Sequence, residues 1–180
     1  MKHSYYKFIS LFLALSLFVA PASAQICALD TTPQSISPTN FSINQGVITD
    51  IASSLTWQRC FYGQTWNESL QRCQGNPIKL DWKQALNAAA SLNGNWRLPN
   101  VKEILTIVDY QCMSPPLNPE LFPEAPSSLR SGLWTSTPLQ TNISITSPVQ
   151  SAWLIELGHG SLQHHTMDDP NYLLLVRDGF

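Results

Sequence analysis

Residues 94–100 read GNWRLPN, which sets an arginine between a tryptophan and a leucine with a proline directly behind. The planar fork of Arg97 suits a carboxylate or a sulfate, which it could clamp through two parallel hydrogen bonds. Its apolar neighbours argue for internal partners instead: an aromatic face, backbone carbonyls, or an acid such as Asp50 or Asp109. On that second view Trp96, Arg97, Leu98 and Pro99 form a structural signature, and Arg97→Ala destabilises the domain by leaving buried acceptors unpaired.

His164, His165, Asp168 and Asp169, with His159 nearby, form the one cluster of metal-ligating types. Adjacent histidines on an extended chain point to opposite faces, so the pair does not converge on one ion, and MDDPN reads as a turn. No metal site and no cofactor is therefore expected. The chain has no GxSxG elbow, no HExxH and no phosphate-binding glycine loop, so no catalytic residue is assigned and a non-enzymatic protein is expected. Six tryptophans are many for 180 residues. Most lie in predicted elements beside apolar residues and read as core, whereas Trp66 sits in a polar segment and is the one expected to be exposed for ligand contact. Arg130, in a proline-dense loop, is the other ligand-contact candidate.

The ends of the chain set the compartment. Lys2 and Lys7, the apolar run at 8–20 and the exit Ala22-Ser23-Ala24 spell a secretory signal peptide over residues 1–24. A membrane anchor is the rival, but a span needs roughly 20 consecutive apolar residues. Loss of Lys2 and Lys7 leaves 8 basic against 12 acidic side chains, which moves the formal charge from −2 to −4. Such a chain is poorly suited to nucleic acid, which calls for a basic patch. The route implied is export to the periplasm or the cell exterior, with no membrane span after processing.

Four cysteines in an exported chain are expected to be oxidised. Three pairings are open to Cys27, Cys60, Cys73 and Cys112. Cys60 and Cys73 flank a polar segment that can close as a local loop, which leaves Cys27 to tether the N-terminal segment to Cys112. A zinc site is the rival, without a CxxC pair or clustered histidines to support it.

The elements that must position these residues follow from periodicity. Residues 25–45 are rich in Thr, Ser, Pro and Asn and read as an extended lead-in, with the folded unit at 46–180. Residues 47–49 and 55–59 are β-prone and suggest a hairpin. Asp81 caps a helix carrying Trp82, Ala85, Leu86 and Ala89 on one face, with Gly94 placed to end it. Asn100 and Glu103 form a capping box for a second helix carrying Val101, Ile104, Leu105 and Val108. The segment from 113 to 132 holds Pro115, Pro116, Pro119, Pro123 and Pro126 and is the candidate functional surface. LWTST at 133–137, SAWLIEL at 151–157 and YLLLVRD at 172–178 read as strands, and TNISITSP at 141–148 as a further edge strand. The fold class is α+β: a single disulfide-stapled domain with two consecutive helices packed on a mainly antiparallel sheet. Asn40, Asn67 and Asn142 each open an Asn-x-Ser acceptor pattern.

Several of these stretches, in order, resemble the bacterial Lcl C-terminal domain family. They are SLTWQRC at 54–60, YGQTW at 62–66, the Cys73-x-Gly75 step, residues 81–110 with WRLPNVKE, LNPELFP at 117–123, LWTST, and AWLIELGHG at 152–160. The resemblance implies an adhesin-like module that recognises a glycan or a surface protein. In the collagen-like adhesin that names the family, the domain is associated with sulfated glycosaminoglycans and with trimers. The WRLP-then-helix element also resembles C-type-lectin-like and sulfatase-modifying-factor-like domains, which implies a C-type-lectin-like fold or, alternatively, an enzyme that uses cysteine thiols. A structural subunit of an envelope or appendage assembly is a third reading. The chain departs from the adhesin in lacking a Gly-X-Y stalk, and its acidic balance fits a polyanion poorly.

Overall fold

The computed structural model describes residues 25–28, 30–139 and 150–179. The signal-peptide assignment, the 141–148 strand and Asn142 lie outside the described residues. Eleven strands and two α-helices are described: β1 Ile26–Cys27, β2 Phe41–Asn44, β3 Val47–Asp50, β4 Leu55–Gln58, β5 Thr65–Asn67, β6 Arg72–Gln74, α1 Trp82–Ala90, α2 Val101–Ile104, β7 Cys112–Met113, β8 Gly132–Leu139, β9 Ser151–Glu156, β10 Leu162–Thr166 and β11 Val176–Asp178. No described helix is long and apolar enough to cross a membrane.

The class is mixed α and β as expected, but the strands do not form one sheet. They form a four-stranded sheet in the order β11-β4-β3-β2, a three-stranded sheet β10-β9-β8, and the pairs β1-β7 and β5-β6. All of these ladders are antiparallel. Residues 172–178 stitch the larger two together. Tyr172 exchanges backbone hydrogen bonds with Gly132 and Trp134, Leu175 O accepts from Gln58 N, and Val176 exchanges two with Arg97. Alternation along this segment also divides the core. Leu173 and Leu175 pack with Ala85, Ala89, Leu98 and Trp134 under α1, whereas Leu174 and Val176 pack with Trp57, Phe61, Ile104 and Phe122 on the other side. A period of two sends successive side chains to opposite faces, so one apolar run serves both clusters.

Four sequence expectations need correction. The lead-in at 25–45 is not free of structure: β1 pairs with β7, and β2 is the edge of the four-stranded sheet with Phe41 in its core. The second helix is a single α-turn followed by a 3-10 turn, Leu105–Ile107. Thr106 Oγ1 turns back to the Glu103 carbonyl at 2.7 Å, and Val108 leaves helical geometry to bridge Leu117. The first helix ends at Ala90, before Gly94.

The proline-dense segment, finally, is not a loose surface loop. Leu117, Leu121 and Phe122 are buried, and Asn118 Oδ1 and backbone groups satisfy its turns. Prolines need no ladder partners, and apolar residues between them can reach the core.

Both disulfides join the expected partners, Cys27 to Cys112 and Cys60 to Cys73, and no cysteine is free. The smaller loop encloses the β5-β6 hairpin, in which Cys73 stands opposite Trp66.

Candidate binding site

The corner at residues 96–100 is built locally. Asn100 Oδ1 accepts from the backbone N–H of Lys102 and Glu103, and Glu103 Oε2 accepts from Asn100 N at 2.7 Å, which completes the capping box. Locked this way, the Glu103 carboxylate faces back along the chain and meets Arg97. Arg97 Nη1 and Nη2 donate to its two oxygens at 2.8 and 2.9 Å, and Nη2 also donates to Asp178 Oδ1 at 2.7 Å. The Glu103 hydrogen bonds, with Asp178 in support and against the cost of burial, raise the guanidinium's already high pKa. Arg97 is therefore a two-carboxylate clamp, and Glu103 holds the place of the external anion.

This corrects the role expected for Arg97. Its side chain is 39% exposed, and its partners are Glu103 and Asp178 rather than backbone carbonyls, Asp50 or Asp109. An ion pair this exposed contributes modestly, so Arg97→Ala is expected to cost about 1 kcal/mol by chemical denaturation. A loss above about 3 kcal/mol would require buried acceptors that the Arg97 side chain does not serve.

The arginine that does satisfy backbone carbonyls, one buried and two part-buried, is Arg59. Its Nε, Nη1 and Nη2 donate to the carbonyls of Leu121, Gln45 and Glu120 at 3.1, 3.1 and 2.7 Å, and burial pushes its pKa down. The signal was an arginine two residues after Trp57, directly behind β4, and two of its three partners lie some 60 residues away.

The tryptophans sort by what their indole N–H groups do. Trp82 and Trp134 donate to the carbonyls of Thr135 and Leu80, and Trp57 is fully buried. Trp66, expected to be exposed, lies under the Arg59 guanidinium at 4.3 Å and donates to Glu68 at 2.8 Å. It is held against Gly46, where a side chain would collide with it. Trp96 and Trp153 are left part-exposed, with no partner for Nε1 among the described residues. Trp96 was expected in the core and only borders it; Leu98 beside it is fully buried.

Trp96 borders a groove of about 410 Å³ between α1 and this corner. Leu86, Ala89, Ala90 and Leu98 give it apolar surface, and Arg97, Asn100, Glu103 and Ser136 give it polar groups. A groove of about 470 Å³ lies between residues 35–41 and the turn at 50–52. It has no indole or guanidinium, and both oxygens of its Asp50 are taken by Ala52 N and Ser53 Oγ. The first groove joins an aromatic ring to polar groups on a rigid frame, which is what recognition of a small polar ligand needs.

The remaining candidates lie apart from it. Arg130 is exposed, and its guanidinium has no partner among the described residues. His164 stands edge-on to Trp153 at 5.8 Å and His165 to Trp134 at 6.5 Å, so the two rings serve different neighbours. Asp168 and Asp169 are exposed in the turn after β10. Among the described residues no three of His, Cys, Asp or Glu gather as metal ligands.

Comparison with known families matches residues 46–177 to the Lcl C-terminal domain. The chain belongs to that family. The WRLPN corner, the capping box, α1 and the central segment up to Arg177 all lie inside the matched Lcl C-terminal domain, whereas Cys27, β1 and β2 precede it. No curated protein and no solved structure matches the chain at a significant level.

Proposed function

We propose that this Lcl C-terminal domain protein is an exported, non-enzymatic binding module of adhesin type, which recognises a glycan through the groove between α1 and residues 96–100. The observation that carries it is Trp96: a part-exposed indole whose N–H has no partner among the described residues, at a groove that also holds amide, hydroxyl and charged groups. Aromatic rings offer an apolar face to a sugar while neighbouring polar groups orient its hydroxyls. The binding surface thereby moves from the proline-dense segment, whose apolar residues are spent in the core, to this corner.

Two disulfides suit an oxidising compartment and agree with export. They also weigh against the thiol-dependent enzyme, because all four thiols are consumed. The C-type-lectin likeness of the WRLP-then-helix element belongs to the same reading and rests on resemblance alone. One observation favours the assembly-subunit alternative: β10 is an outer strand whose residues Leu162, Gln163, His164, His165 and Thr166 include no Lys, Glu or Pro to block strand pairing.

A glycan array probed with the disulfide-bonded protein tests the proposal. A set of glycans is expected to bind, and Trp96→Ala to reduce that signal at least about tenfold while the near-ultraviolet dichroism of the core tryptophans persists. Binding unaffected by Trp96→Ala would remove the groove from the proposal. A blank array with specific capture of one envelope protein would favour the assembly subunit.

A further inference from the structure

The turn between α1 and the WRLPN corner holds Asn93 followed by Gly94, and no other asparagine of the chain precedes a glycine. Both residues are exposed, and the backbone has left the helix here, with φ +97° at Gly94 and +58° at Asn95. Among the described residues neither the Asn93 side chain nor the Gly94 N–H has a hydrogen-bond partner. An amide carbon and a nitrogen nucleophile of adjacent residues are thus both unencumbered, and attack within the chain closes a succinimide ring without any encounter step. A glycine adds no Cβ to obstruct the approach. Other asparagines supply the contrast. Asn76 and Asn118 precede prolines, which have no N–H to attack with. Asn87 lies within α1, where N–H groups are spent on helical hydrogen bonds.

We propose that Asn93 is a self-modification site: the Gly94 amide nitrogen attacks the Asn93 side-chain carbonyl carbon, and the folded protein acquires a carboxylate in this turn. The atoms balance with water as the only co-reactant. Gly94 N loses its proton and bonds to Asn93 Cγ, the Cγ–Nδ2 bond breaks, and ammonia leaves carrying that proton. Water then opens the succinimide at either carbonyl, which yields aspartate or isoaspartate at position 93. Either product adds a negative charge, and isoaspartate also routes the backbone through Cβ and lengthens it. The place of that insertion matters, because a Cβ on Gly94 would lie 3.3 Å from Arg177 Nη1 and 3.4 Å from Trp96 Nε1. Gly94 is thus packed against the Arg177–Trp96 stack, in which the guanidinium carbon stands 4.7 Å from the ring centroid. A longer backbone just before this contact displaces the indole that borders the groove. The modification itself holds whether or not the groove takes a glycan.

The test incubates the disulfide-bonded protein at mildly alkaline pH in ¹⁸O-labelled water and follows each asparagine by peptide mass spectrometry. Asn93 is expected to exchange its amide for a labelled carboxylate at least about tenfold faster than Asn87 or Asn118, with isoaspartate among the products. Asn93→Gln, whose longer side chain closes the ring far more slowly, is expected to remove the signal. In the ¹⁵N-labelled protein the Trp96 indole N–H is expected to gain a second resonance as isoaspartate accumulates. Reaction at Asn93 that is fast in urea but no faster than at Asn87 in the native state would overturn the proposal, because the folded turn then protects the residue. Aspartate without isoaspartate would overturn Gly94 as the nucleophile. An unmoved indole resonance would overturn the link to the groove and leave the modification in place.

Discussion

Arg59→Met is expected to lower stability by about 3 kcal/mol, against about 1 kcal/mol for Arg97→Ala, although the latter arginine stands in the more conspicuous motif. Methionine keeps much of the apolar stem and removes the donors to the buried Leu121 carbonyl and to the part-buried carbonyls of Gln45 and Glu120. It also uncovers one face of Trp66, where the guanidinium contact adds a further fraction of a kcal/mol. Arg59→Lys should recover only part of the loss, since an ammonium cannot reproduce the three-way fork. Urea denaturation of the four proteins checks the ranking. Equal losses for the Arg59 and Arg97 variants would mean that these carbonyls find other donors.

Removing the Cys27–Cys112 bridge by a double serine substitution is expected to cost about 4 to 5 kcal/mol, and removing Cys60–Cys73 about 3 kcal/mol. The difference comes from loop size, since the first bridge spans 85 residues and the second 13. The larger loss should also be local in the native state. Cys27 precedes the matched Lcl region, and its short ladder with β7 has a single register pair besides the cysteines themselves. Hydrogen exchange after that double substitution should open residues 25–28 and leave β8 and β9 protected. Comparable denaturation midpoints for the two double variants would exclude loop entropy as the main effect.

Much of the frame was legible because it is local. The Asn100–Glu103 box spans three residues, Asp81 meets Gln84 over the same distance, and apolar periodicity places Ala85 and Ala89 on the buried face of α1. The cysteine pairing followed from one short polar loop and the remainder. The helix through Val108 was misread because periodicity cannot register a distant competitor: Leu117 bridges Val108, and Thr106 turns back on Glu103.

By itself, then, the amino-acid order determined the family, the capped corner, the disulfide pairs and a mildly acidic chain. Tertiary structure alone decided which groups remain unspent. Asp178 reaches Arg97 across 81 positions, Leu121 and Glu120 reach Arg59 across about 60, and residues 172–178 divide the core in two. Local order sets backbone preference and capping, because those act over a few residues. Whether an arginine is consumed or left open depends on partners that chain folding brings from elsewhere, and so Arg59 and Arg97 became structural while Arg177, stacked on Trp96, has no acid or carbonyl partner among the described residues.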